Sequence, residues 1–176
     1  MTELSLIPML DEKKIAKRVA EMGAEITKLC KKEKLIVIGV LKGSFVFYAD
    51  LIRQIDADIA CEFLGVASYG DQTTSSGEVK LTLDLTSGIE GQNVLIVEDI
   101  VDTGLTMGYL RKTLEARNPK RVLTATLLLK PDALRVKCDL DYVGFKIGNE
   151  FVVGYGLDYQ GYYRNLPYIA QVGSLN

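Results

Sequence analysis

Residues 94–106 read Val-Leu-Ile-Val-Glu-Asp-Ile-Val-Asp-Thr-Gly-Leu-Thr, and no other run limits the possible folds of this chain as strongly. Consecutive apolar, mostly β-branched residues at 94–97 fit a strand covered on both faces of a parallel sheet, with the acidic pair Glu98 and Asp99 at its carboxyl end. In open α/β sheets ligands gather at that end. Residues 107–117 carry Met107, Leu110 and Leu114 at helical spacing, so the segment reads as a strand, a tight polar turn and a helix start.

The free amides of a helix start, with the hydroxyls of Thr103 and Thr106, can wrap an anion, and Gly104 lets the backbone approach it closely. A phosphate there would be repelled by Glu98 and Asp99 unless the acids face something else, such as sugar hydroxyls or a divalent cation. A phosphorylated sugar carrying a metal satisfies both halves. A plain helix cap by Asp99 or Asp102 accounts for the same residues equally well. The turn is not a P-loop, because no Gly-Lys-Ser/Thr follows the glycine.

The chain before this segment repeats its plan. Asp11 is the expected cap of an amphipathic helix whose Ile15, Val19, Met22, Ile26 and Leu29 share a face. A buried strand at 35–40 then leads through Leu41, Lys42, Gly43 and Ser44 into a helix at 45–52. A second anion site at this turn and an ordinary turn capped by Ser44 are both open. A strand at 59–67 and a return strand at 79–85 flank the polar residues 68–77, which read either as a long hairpin tip or as a mobile active-site lid. A strand at 121–129 delivers Lys130 to the same edge as Asp99 and Lys42. Short strands at 141–147 and 151–155 are expected to form an antiparallel piece over the sheet, and the tyrosines 155, 162, 163 and 168 are read as packing residues.

Length and composition, at 176 residues and 48% hydrophobic, fit one globular domain over residues 1–176. No apolar run approaches a membrane span, no secretory leader is legible, and the three cysteines match neither a disulfide framework nor a zinc site, so a cytoplasmic protein without a membrane partner is expected. A formal charge of −2 argues against an extended nucleic-acid surface. The absence of histidine excludes Ser-His and Cys-His nucleophiles and histidine-ligated metals, leaving Asp, Glu, Lys or Tyr as acids and bases.

Taken whole, the apolar strand, two acids, two apolar residues and Asp-Thr-Gly-Leu-Thr resemble the phosphoribosyl-pyrophosphate (PRPP) motif of the type I phosphoribosyltransferases. Within that family Lys130 and the run of residues 151–159 resemble the hypoxanthine-guanine members, over about 35–166. The resemblance implies an α/β fold with a central, mainly parallel sheet flanked by helices (core about 10–147), a small hood from 148–176 with the N-terminal residues, and a flexible hairpin lid at about 68–78. It implies Mg²⁺-dependent transfer of the 5-phosphoribosyl group from PRPP to N9 of a 6-oxopurine, with inversion at C1′, in a homodimer or homotetramer.

Its residue roles carry over position by position. The 5′-phosphate falls to Asp102, Thr103, Gly104, Leu105 and Thr106, and ribose and metal to Glu98 and Asp99. Pyrophosphate falls to Leu41, Lys42, Gly43 and Arg164, with Ser68 and Tyr69 on the lid and a Leu41–Lys42 peptide able to go cis. Phe151 would stack on the purine, Lys130 would donate to O6 and disfavour adenine, and the backbones of Val152 and Asp158 would accept from its other edge. The Asp158 carboxylate would hold a second Mg²⁺, and Asp102 would take the purine's proton. The chain departs from some relatives at 131–134, where Pro-Asp-Ala-Leu replaces a more basic tract that Arg135 could restore. Three other readings stay in view: a phosphoacceptor receiver domain, whose strand order differs; an RNA-binding regulator on the same fold, which needs a basic face; and a transferase for xanthine, adenine or a pyrimidine.

Overall fold

The computed structural model describes residues 5–30, 33–69 and 78–173. Its elements in order are β1 (Leu6–Leu10), α1 (Glu12–Cys30), β2 (Leu35–Leu41), α2 (Phe45–Ile52), β3 (Ile59–Tyr69), β4 (Glu78–Leu83), β5 (Asn93–Val101), α3 (Leu105–Glu115), β6 (Arg121–Leu129), a 3₁₀ turn (Pro131–Ala133), β7 (Tyr142–Lys146), β8 (Val152–Val153) and β9 (Ile169–Val172). A six-stranded sheet runs β4-β3-β2-β5-β6-β7. All its neighbours pair parallel except β3 and β4.

The apolar run at the start of β5 has a direct packing cause. Leu95 and Val97 point into one core with Ile15, Val19, Met22 and Ile26 of α1 and Phe47 and Leu51 of α2. Val94 and Ile96 point into the other, against Met107, Leu110 and Leu114 of α3. With both faces covered, alternation gives way to a continuous apolar run. The mainly parallel α/β architecture read from the sequence is therefore the observed one.

Strand order fixes where a ligand can enter. β2 and β5 are neighbours in register from Leu35 against Asn93 to Gly39 against Val97. The chain leaves β2 into α2 on one face and leaves β5 into α3 on the other. That divergence opens a crevice beyond their carboxyl ends, the switch point where open α/β sheets bind ligands.

Several elements differ from expectation. β5 does not stop before its acids but continues to Val101, because Glu98, Ile100 and Val101 stay paired with Thr126, Leu128 and Leu129 of β6. α3 begins at Leu105, two residues early, directly after the turn. β7 is a parallel member of the main sheet, not half of an antiparallel flap: it pairs with β6, and Arg18 of α1 ties it down by donating to the carbonyls of Val143 and Gly144 at 2.9 and 3.3 Å. β8 covers only Val152 and Val153 of the expected 151–155 strand and pairs with β9. β9 in turn pairs with β1, so segments from early and late in the sequence build a separate three-stranded antiparallel sheet. Asp11 caps α1 as expected, its Oδ1 accepting from the Lys14 amide at 2.8 Å.

Candidate active site

The turn between β5 and α3 is only Asp102, Thr103 and Gly104. Gly104 holds φ at +81°, a left-handed conformation that costs other residues a Cβ clash, and its carbonyl accepts from Gly108 to start the helix at 2.9 Å. The turn is braced from behind, since the Thr103 carbonyl accepts from the Arg135 amide at 3.0 Å. A pocket of about 270 Å³ opens before it, lined by Val66, by residues 98–104, and by Thr106 and Met107. The first turn of α3 therefore faces a cavity sized for a small anionic group.

Glu98 and Asp99 form the floor, each 8% exposed. Burial pushes the Glu98 carboxyl well above its ordinary range, and the neighbouring Asp99 charge and their shared hydrogen bond add to it. Burial also raises Asp99, opposed by the bond from Glu98, by backbone amides and by the Arg164 charge. Both shifts favour the protonated form of the pair, Glu98 more strongly than Asp99. Glu98 Oε2 is buried without a hydrogen-bond partner, so the acids are not satisfied by the protein alone.

The second turn lies against this floor. A Cβ on Gly43 would stand 1.7 Å from Asp99 Oδ2, and one on Gly156 would stand 2.1 Å from the Gly43 carbonyl oxygen. Residues 43, 99 and 156 therefore stack in contact, and only glycine fits the two backbone positions. The Leu41–Lys42 peptide is cis. Lys42 is exposed, whereas Ser44 is fully buried and donates to the Val40 carbonyl at 2.6 Å. Ser44 does not cap α2 through its side chain, contrary to the simple turn reading; it clamps the loop back onto β2.

Lys130 is 7% exposed at the end of β6, and its Nζ lies 3.4 Å from Asp102 Oδ2, which joins two residues expected at the purine. Phe151 is half-exposed and meets Tyr159 edge-on with centroids 5.9 Å apart, leaving a face free. Val152 is buried in β8. The Asp158 carboxylate is fully engaged, taking Arg164 at 2.6 Å and the Gly161 amide at 2.7 Å, while Arg164 also donates to the Gly156 carbonyl at 2.6 Å. Among the described residues no three Asp, Glu or Cys side chains form a metal cage. Ser68 and Tyr69 end β3, paired in backbone with Val79 and Glu78; the lid expected around them lies outside the described residues.

Sequence reasoning missed two supports. The brace from Arg135 is made by its backbone, so its side chain gave no signal. Tyr155, read as a packing residue, is buried but also donates from its hydroxyl to Asp50 Oδ2 at 2.5 Å. Its position between Gly154 and Gly156 was a legible sign of an unusual backbone.

A mainly parallel α/β sheet whose two strand-to-helix turns meet beside a buried acidic pair at the switch point is the arrangement expected of a type I phosphoribosyltransferase. Residues 9–160 match the family model described as the phosphoribosyl transferase domain. The chain is 46% identical over 165 residues to the hypoxanthine-guanine phosphoribosyltransferase of Dictyostelium discoideum, covering 92% of each. It is 47% identical over 161 residues to that of Bacillus subtilis, covering 92% of this chain and 89% of the relative. A crystal structure of a hypoxanthine-guanine phosphoribosyltransferase from Bacillus anthracis, with a HEPES molecule in its active site, superposes with a TM-score of 0.92 at 44% identity, covering 97% of this chain and 100% of that one. The chain belongs to the hypoxanthine-guanine phosphoribosyltransferase family.

Proposed function

We propose that this enzyme salvages purines, transferring the 5-phosphoribosyl group of PRPP to N9 of hypoxanthine or guanine and releasing pyrophosphate. The observation that carries this reading is the contact of two turns, at residues 43 and 156, with each other and with Asp99 of β5, directly beside the Asp102–Thr106 anion cradle. The cradle takes the 5′-phosphate on the amides of residues 102–106 and the hydroxyls of Thr103 and Thr106. Lys42 and the Gly43 backbone take pyrophosphate. Lys130 donates to O6, Phe151 stacks on the ring, and the carbonyls of Val152 and Asp158 accept from the far edge.

The donor set fits Mg²⁺. Glu98 and Asp99 offer hard oxygens, one of them an orphaned buried Oε2, and Mg²⁺ binds through one or two carboxylates completed by substrate oxygens and water. When bound, Mg²⁺ would neutralise the buried acids and the charge growing on pyrophosphate. Asp158 would hold a second ion, and Arg164, released from Asp158, would then reach pyrophosphate.

In the reaction the C1′–O bond breaks with its electron pair leaving on pyrophosphate, N9 bonds to C1′ from the opposite face, and the purine loses a proton. Glu98 and Asp99 hold the ribose hydroxyls and set negative charge near the sugar as it becomes cationic. Asp102, held near the base by Lys130, receives the proton. We assign the protein to the cytoplasm, where its free cysteines would stay reduced, and to a homodimer or homotetramer.

Steady-state assays with PRPP, Mg²⁺ and each of hypoxanthine, guanine, xanthine and adenine test the reading. Turnover of hypoxanthine or guanine that EDTA abolishes is expected, with adenine rejected. Faster turnover of adenine, or none with any purine, refutes it. Light scattering on the purified protein tests the oligomer.

A further inference from the structure

The pyrophosphate turn and the segment carrying Asp158 and Arg164 come from distant parts of the chain, so something must fix the gap between them. α2 starts directly after the turn and is immobilised by Phe47 and Leu51, both fully buried. From its outer side Asp50 reaches the hydroxyl of Tyr155 at 2.5 Å, across 105 residues of sequence. Asp50, Tyr155 and Arg164 also line one pocket of about 450 Å³.

Tyr155 occupies a position that its backbone disfavours. It holds φ at +51°, between Gly154 at +98° and Gly156 at +101°, a left-handed stretch where a side chain is normally a liability. The stretch is folded onto itself: the Tyr155 amide donates to Leu166 at 2.8 Å and the Gly156 amide to the Arg164 carbonyl at 3.0 Å. A tyrosine kept there, buried and bonded to α2, works as a latch. Its two ends are the helix that begins at the pyrophosphate turn and the segment whose Gly156 rests on the Gly43 carbonyl.

We infer that Tyr155 and Asp50 are positioning residues that set the width of the pyrophosphate subsite, holding Lys42 and Gly43 at a fixed distance from Asp158 and Arg164. The inference rests on the PRPP-dependent reading above and adds to it two residues that touch no substrate. Loss of the latch leaves the purine contacts at Lys130 and Phe151 in place and loosens only the clamp on the leaving group.

Tyr155→Phe removes the hydroxyl alone. It is expected to raise KM for PRPP, and KM for pyrophosphate in the reverse reaction, by about tenfold, the order lost with one charge-assisted hydrogen bond. KM for hypoxanthine should stay within about twofold. Asp50→Ala should reproduce this split, Asp50→Asn should largely restore the wild-type values because its amide oxygen still accepts, and Tyr155→Phe combined with Asp50→Ala should be no worse than either alone. An unchanged KM for PRPP in Tyr155→Phe, or an equal rise in KM for PRPP and for hypoxanthine, overturns the inference while wild-type turnover keeps the functional reading. A wild-type protein that forms no nucleotide from PRPP and hypoxanthine overturns both.

Discussion

Glu98→Gln should make the ligand-free protein more stable as pH rises and less able to use PRPP. Glu98 is buried to 8% exposure, and burial raises its carboxyl well above the ordinary glutamate value that the unfolded chain would show. Between that value and the folded one, the native state binds a proton that the unfolded state has released. Stability then falls as pH rises, by about 1.4 kcal/mol per pH unit for one proton. The loss begins above the ordinary carboxyl value and levels off once the pH passes the folded one. Glutamine keeps the shape and can still donate to Asp99 from its amide, so it removes the slope without opening a hole. Asp99 is raised in the same direction and remains in both proteins. The exposed acids Glu33 and Asp84 and the half-buried Glu62, each lowered by hydrogen-bond partners, give the opposite slope below their ordinary values and cancel in the comparison. Urea unfolding at half-unit steps from pH 4 to 8, without Mg²⁺ or PRPP, reads the difference. The variant should match wild type near pH 4 and gain on it steadily above pH 5. Parallel curves would mean that Glu98 is ionised in the folded protein.

Other substitutions separate the roles assigned within the site. Asp102→Asn keeps the size of the group that meets Lys130 but cannot take a proton, so kcat for hypoxanthine should fall by about 10² to 10⁴, and a drop of only a few-fold removes Asp102 as the base. Lys130→Gln supplies an acceptor where only donors stood, so the kcat/KM ratio of hypoxanthine to adenine should shrink at least about a hundredfold; an unchanged ratio places purine discrimination elsewhere. Gly43→Ala puts a methyl 1.7 Å from Asp99 Oδ2, which forces the turn away by about an ångström, and a displacement of that size costs about a hundredfold in kcat/KM for PRPP with the fold intact by circular dichroism.

What could be read in advance follows from the range of each interaction. The β5 run was legible because Leu95 and Val97 fill one core while Val94 and Ile96 fill the other, and two-sided burial leaves a local signature. The Asp102–Gly104 turn was legible because its chemistry is contiguous in the chain. The extension of β5 through Glu98 and Asp99 was not, since carboxylates after an apolar run ordinarily mark a strand's exit and only the pairing of Glu98 with Thr126 reveals otherwise. The parallel placement of β7 rests on β6 and on Arg18, more than a hundred residues upstream. The pairing of Asp158 with Arg164 is local, six residues apart, yet it depends on the turn between them, so the two could be foreseen as residues of one site but not as partners that engage each other.

These long-range contacts explain why the site sits where the fold is least comfortable. Two carboxyls are buried at the end of β5 with one oxygen unpartnered, Gly43 and Gly156 give up side chains so that two turns can touch each other and Asp99, and Tyr155 accepts a left-handed backbone beside them. The unpartnered carboxyl oxygen is unfavourable for the ligand-free protein, and a bound cation would supply what it lacks. The two fully packed cores on either face of β5 offset that cost, which is why a strand apolar on both sides leads directly into the most strained part of the molecule. Ligand binding should accordingly stabilise this protein more than its buried contact area alone would suggest, because a cation would partner a buried carboxyl oxygen that the protein leaves unpaired: in thermal unfolding, Mg²⁺ with PRPP should raise Tm in wild type by clearly more than in Glu98→Gln, and equal shifts would show that Glu98 takes no part in binding.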